Sequence, residues 1–109
     1  MKKIEVIVKP FKLDGIKEAL IDLGIEGMTV SEVRGLKDGG GHKAPDDFSE
    51  DYLPRIKIEI VVPDGLVDEA VAAIVAGVRT SGRGDGKILV EPVDRSIRIR
   101  TGEPDNRVT

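Results

Sequence analysis

Arg55-Ile56-Lys57-Ile58-Glu59-Ile60-Val61-Val62, followed by Pro63-Asp64 and the segment from Gly65 to Val78, is the strongest structural signal in the chain. Charged and β-branched residues alternate from Arg55 to Ile60, the period-two pattern of a strand with one buried face. Beyond Pro63 the period changes. Val67, Ala70, Val71, Ile74, Val75 and Val78 recur at helical spacing, and Asp64 stands where an N-cap would start the helix. A strand feeding an amphipathic helix is the first half of a β-α-β unit.

The N-terminal region repeats the pattern. Residues 2–9 alternate as a strand that Pro10 ends. Residues 12–23 put Leu13, Ile16, Ala19, Leu20 and Leu23 on one helical face. Lys12, Lys17, Glu18 and Asp22 fall on the wet side, with Gly24 as the C-cap. Residues 27–36 read as a second strand and residues 87–93 as a fourth, turned by Asp94-Arg95. Ser96-Ile97-Arg98-Ile99-Arg100 alternates again and predicts a short terminal strand. The order β-α-β, long loop, β-α-β predicts an α+β fold, the ferredoxin-like split βαβ (βαββαβ). In it both helices cover one face of an antiparallel sheet.

Length and composition set the outer limits. The 109 residues make one domain, 1–109. A hydrophobic fraction of 39% fits a globular chain rather than a disordered one. The net charge of -3 argues against a general nucleic-acid binder, and Phe11, Phe48 and Tyr52 are too few for base stacking on a sheet. With no cysteine there is no disulfide, thiolate metal site or thiol catalysis. No signal peptide or long apolar run is present, so the expectation is a cytoplasmic protein without membrane insertion.

Two basic clusters carry the chemistry. In Gly82-Arg83-Gly84-Asp85-Gly86-Lys87 the glycines leave backbone N–H groups unshielded, an arrangement that nests an anion, and Lys87 adds a mobile cation. On a strand, Arg98 and Arg100 would project from one face, with Ile97 and Ile99 on the other. Paired guanidiniums grip phosphate or carboxylate bidentately. Together the clusters predict a nucleotide-binding protein. Each alone has a plainer explanation, a simple turn for the first and edge-strand protection for the second. The loop is not a Walker A motif, because Ile88 follows Lys87 and a strand follows in place of a helix. Its glycine spacing also fails the dinucleotide fingerprint.

The stretch from Lys37 to about Pro54 is polar and without periodicity. It holds Gly39-Gly40-Gly41 and the acidic pairs Asp46-Asp47 and Glu50-Asp51. A loop of this length in a compact domain is usually functional or disordered. His42, the only histidine, reads as a solvated loop residue, and no metal site is expected. The acidic pairs read as a solvated or partner-facing surface, since a catalytic dyad needs a rigid apolar setting.

Six stretches in order resemble the PII signal-transduction (nitrogen regulatory) family across residues 1 to about 103. They are Met1-Lys2-Lys3-Ile4, Lys9-Pro10-Phe11-Lys12-Leu13-Asp14, Gly27-Met28-Thr29-Val30, Lys57 to Asp64, Gly84-Asp85-Gly86-Lys87-Ile88 and Ile97 to Glu103. The resemblance implies a homotrimer that binds ATP or ADP, with Mg²⁺ a candidate companion, in clefts between neighbouring subunits. It also implies a loop at about 37–54, the T-loop, that changes shape with the ligand and docks on a target transporter or metabolic regulator. Carried over by motif, Gly84, Asp85, Gly86 and Lys87 would hold phosphates. Arg98 and Arg100 would reach in from the adjacent subunit. Thr29 would lie near the adenine and Val61 would line the base pocket. Gly35, Leu36, Lys37 and Asp38 would close over the phosphates. Repulsion between Asp38 and a γ-phosphate, relieved by Mg²⁺, is the expected source of any difference between ATP and ADP states.

The departures from the family lie in residues 37–55. The glutamine that helps such proteins bind Mg-ATP with 2-oxoglutarate is missing, for the chain has no glutamine. Phe48 stands where many members carry a modifiable tyrosine, and it has no hydroxyl to nucleotidylate. Tyr52 matches a packing position. Arg55 replaces a lysine that often contacts 2-oxoglutarate and is the candidate for a small-anion effector. The expected function is therefore a non-enzymatic sensor, without catalytic residues, that regulates nitrogen or carbon metabolism or transport. The alternatives are a divergent sensor of another small anion such as bicarbonate, a weak nucleotide-hydrolysing enzyme, or a structural oligomer with a vestigial pocket.

Overall fold

The computed structural model describes residues 1–35, 53–79 and 86–105. Its elements are β1 (Lys2–Val8), a 3-10 turn (Pro10–Lys12), α1 (Leu13–Asp22), β2 (Thr29–Gly35), β3 (Leu53–Val62), a second 3-10 turn (Asp64–Leu66), α2 (Val67–Arg79) and β4 (Gly86–Pro92). The four strands lie in the order β2-β3-β1-β4, and every neighbouring pair is antiparallel. This is the ferredoxin-like arrangement expected from the sequence.

The alternation read in β1 and β3 decides which face is buried. Ile4, Val6 and Val8 of β1 and Ile56, Ile58, Ile60 and Val62 of β3 point to the side covered by the helices. There they meet Ile16 and Leu20 of α1 and Ala70, Ile74 and Val78 of α2. The helices approach closely because two glycines meet, and a Cβ built on Gly77 would lie 3.4 Å from the Gly15 carbonyl oxygen. Among the described residues, no helix lies against the opposite face of the sheet.

Both helix ends repay inspection. At the end of α1, Gly24 takes φ +86° and its N–H donates to the Ile21 carbonyl, while the Ile25 N–H donates to the Leu20 carbonyl. That pair of bonds is a Schellman motif, sealed by the burial of Leu20 and Ile25, and Gly24 is its αL residue as expected. The expected N-cap role of Asp64 does not hold. Asp64 lies inside the 3-10 turn that precedes α2, with Pro63 as that turn's cap. Its carboxylate instead accepts from the Met1 ammonium, which holds the carboxyl below its ordinary range. The helical turn starts at Asp64 itself, so the capping position falls one residue earlier, on Pro63.

Lys12 also departs from expectation. It is 6% exposed rather than on the wet side, and its Nζ donates to the Val78 carbonyl at 2.6 Å. The α-helical phase starts at Leu13, and the 3-10 turn before it aims Lys12 inward at the last turn of α2.

The expected terminal strand is absent among the described residues. Ile97 and Pro104 form a lone bridge, and the segment between them turns back on itself. The Arg98 N–H donates to the Glu103 carbonyl, the Gly102 N–H to the Arg98 carbonyl and the Asp105 N–H to the Ser96 carbonyl. Gly102, at φ +72°, makes the reversal possible. Within one chain the alternating segment meets no strand to pair with, so it closes on its own tail instead of extending.

Candidate functional site

The face of the sheet left open by the helices gathers most of the described candidate residues. Register places Thr29 opposite Glu59, Val61 opposite Lys3, and Lys87 opposite Ile7. All these residues share the uncovered face, since directly paired residues lie on one side of a sheet and the neighbours of Lys3, Ile7, Glu59 and Val61 in β1 and β3 are the buried ones. Thr29 and Val61 are diagonal neighbours, because Val61 lies two residues beyond Glu59. Such pairs lie about 7–8 Å apart. Lys87 is on β4, at the other edge of the sheet. The structure therefore brings Thr29 and Val61 together and leaves Lys87 across the sheet from them.

Gly86 opens β4 and is tightly placed. A Cβ there would sit 2.9 Å from Val8 Cγ1 and 3.1 Å from the Ile7 carbonyl oxygen. Only glycine lets the strand start this close to β1, and Lys87 takes its position from that start. Gly35 ends β2 at the same end of the sheet, paired with Leu53. Arg55 is opposite Val33, close to that pair, and its guanidinium donates to the neighbouring Pro54 carbonyl at 2.9 Å. The 36–52 segment thus joins β2 to β3 at one end of the sheet, and β4 starts at that same end. Leu36, Lys37, Asp38, Gly84 and Asp85, like His42, Phe48 and Tyr52, lie outside the described residues.

Arg98 and Arg100 are at the opposite end. β4 runs from Gly86 to Pro92, the Val93 N–H donates to the Met1 carbonyl, and the tail follows. About 20 Å of strand separates Lys87 from the start of the tail. The two arginines do not line one face of a strand as expected. Arg98 is one-third exposed and its Nη2 donates to Asp105 Oδ2 at 3.1 Å, while Arg100 is exposed within the turn. Among the described residues, Gly86 and Lys87 do not converge with Arg98 and Arg100 within a single copy. A pocket of about 280 Å³ lies beside the tail, lined by Met1, Asp94, Arg95, Ser96, Ile97, Gly102 and Pro104.

The charges on the open face are organised around Lys3, which the motif reading passed over. Its Nζ is 3.2 Å from Glu59, 3.7 Å from Glu91 and 3.8 Å from Glu5. The hydrogen bond to Glu59 and the charge of Glu91 hold the Lys3 ammonium above its ordinary pKa. The sequence signal was available, because Lys3, Glu5, Glu59 and Glu91 fall on the outward phase of three adjacent strands. Only the register shows that they meet. Among the described residues no group of side chains is arranged to hold a metal ion, and no helix is long and apolar enough to cross a membrane.

Comparison with known proteins finds relatives that match over nearly the whole chain. The sequence model of the family described as nitrogen regulatory protein P-II matches residues 1–103. Nitrogen regulatory protein P-II of Haemophilus influenzae is 52% identical over 106 residues, which cover 94% of this chain and 95% of the relative. Nitrogen regulatory protein P-II 1 of Escherichia coli K12 is 52% identical over 109 residues, 97% of each chain. A P-II protein of Rhodobacter capsulatus is 51% identical over 106 residues, 94% of this chain and 95% of its own length.

Proposed function

The chain belongs to the nitrogen regulatory P-II family, and we propose that within it this protein is an adenine-nucleotide sensor that signals to a partner through residues 37–54. Residues 1–109 act as one cytoplasmic domain, and three copies associate. ATP or ADP binds between copies. Thr29 and Val61 receive the adenine. Gly84, Asp85, Gly86 and Lys87 hold phosphates, Arg98 and Arg100 of the next copy complete the phosphate site, and Gly35, Leu36, Lys37 and Asp38 close over it. No residue acts as a catalyst.

One observation carries this reading. Gly86 and Lys87, the described end of the glycine-lysine cluster, stand at one end of β4, and the segment that carries Arg98 and Arg100 follows its other end. A ligand that needs both clusters would recruit them from two copies, and among the described residues no helix covers the sheet face between the ends. A cleft of that kind is empty in the monomer and complete only in the assembly.

The partner is a transporter or a metabolic regulator. The small-anion effector, 2-oxoglutarate or bicarbonate, would pair with Arg55, whose exposed guanidinium stands at the foot of the 36–52 segment. Calorimetry with ATP and ADP, repeated with Mg²⁺ and each anion, tests the proposal. Nucleotide binding that weakens at least tenfold in Lys87→Ala supports it. If neither nucleotide binds to the assembled protein, it is wrong. If 2-oxoglutarate tightens ATP binding, the protein reads nitrogen status despite the missing glutamine. If only bicarbonate does so, it reads carbon supply.

A further inference from the structure

The Arg98–Asp105 pair differs from an ordinary surface ion pair. The Asp105 carboxylate is 12% exposed and stands 3.1 Å from Arg98 Nη2. Its own backbone is tied down, because the Asp105 N–H donates to the Ser96 carbonyl at 2.8 Å. The loop between them is closed by two more backbone bonds, Arg98 N–H to Glu103 and Gly102 N–H to Arg98. A carboxylate held in this way cannot swing off when an anion approaches, as an exposed side chain would. An anion gripping Arg98 must do so through the remaining guanidinium donors, with a fixed negative charge a few ångströms behind them.

We propose that Asp105 is a specificity-determining residue that acts through Arg98 and restrains the preference for ATP over ADP. This rests on the nucleotide reading above. The repulsion from a fixed carboxylate scales with the charge on the ligand. A triphosphate carries one more negative charge than a diphosphate, so Asp105 penalises the longer chain more. One unit of charge at about 8 Å, at an effective dielectric between that of the protein surface and water, changes the affinity ratio by about threefold. A sensor that favours ATP too strongly would saturate and report nothing, and the carboxylate holds the two affinities closer together.

The experiment is calorimetric titration of the full-length assembled protein with ATP and with ADP, both without Mg²⁺ so that the ligands keep their full charge. Asp105→Asn keeps the shape and an acceptor for Arg98 but removes the charge, and it should raise the ATP-over-ADP affinity ratio about threefold. Asp105→Ser should do the same, which guards against one variant that fails to fold. Asp105→Glu keeps the charge and should leave the ratio at the wild-type value, an outcome that a merely structural role does not predict. An unchanged ratio in Asn and Ser, or a ratio shifted equally in Glu, overturns the role of Asp105 while leaving nucleotide binding intact. If the wild-type protein binds neither nucleotide, the underlying reading falls and this one with it.

Discussion

Lys12 and Gly86 show how much hangs on single side chains here. The Lys12 ammonium, 6% exposed, satisfies a carbonyl in the last turn of α2. Lys12→Met would bury that carbonyl without a donor, and equilibrium urea unfolding should show a loss of about 1–3 kcal/mol. Gly86→Ala should cost about the same, because the new methyl group would press on Val8 Cγ1 and on the Ile7 backbone. The same change should weaken nucleotide binding beyond its effect on stability, since it displaces the start of the strand that carries Lys87. Neither role was legible in the sequence. A lysine one residue ahead of a helix looks solvated when the helical phase is carried back to residue 12, and the 3-10 turn breaks that phase. In the sequence Gly86 reads as a bare N–H in a glycine-rich loop. Its steric reason, the approach of β4 to β1, depends on a contact between residues some 78 positions apart.

Strands and helices were far easier to read than their ends. The buried faces of β1, β3, α1 and α2 are the ones the periodicities mark, because a single apolar stripe leaves one way to place each element on a core. The Gly24 cap was also legible, since it needs only local geometry. Replacing Gly24 by Ala should cost about 1 kcal/mol through the strained positive φ. Gly65→Ala, in the turn before α2, meets nothing within 4 Å and should be neutral or stabilising by up to about 1 kcal/mol. Thermal unfolding of the two variants side by side separates these outcomes. The tail marks the limit of such reading. Ile97-Arg98-Ile99-Arg100 alternates like a strand, but alternation specifies a face and not a partner. Ile99 remains 99% exposed in the single chain.

The assembled protein carries two further expectations. On the open face, the Lys3 ammonium is favoured in the fold by Glu59, Glu91 and Glu5, so its pKa is raised on folding. The stabilisation is complete below the unfolded lysine value, about pH 10.4, and is lost as pH rises through the higher folded value. Wild-type melting temperature should therefore fall more steeply above that pH than that of Lys3→Met, which has no such proton to lose. The second expectation concerns shared sites. Lys87→Ala and Arg98→Ala proteins should each bind nucleotide poorly, yet subunits mixed after denaturation and refolded together should recover a fraction of intact sites. Recovery measured by calorimetry supports sites built from two copies, and its absence places both clusters in one chain's site. The separation of the clusters could not be inferred from their spacing in sequence, because eleven residues from Lys87 to Arg98 can fold back or run on. The pairing of Gly35 with Leu53 has a different kind of consequence. The 17 residues between them start and finish at neighbouring ladder positions. Closing such an excursion costs little more as it lengthens, about 0.6 kcal/mol for each doubling. Insertions, deletions and wholesale exchange of this segment should therefore be almost invisible to the folded body, which leaves its sequence free to change while the core stays the same.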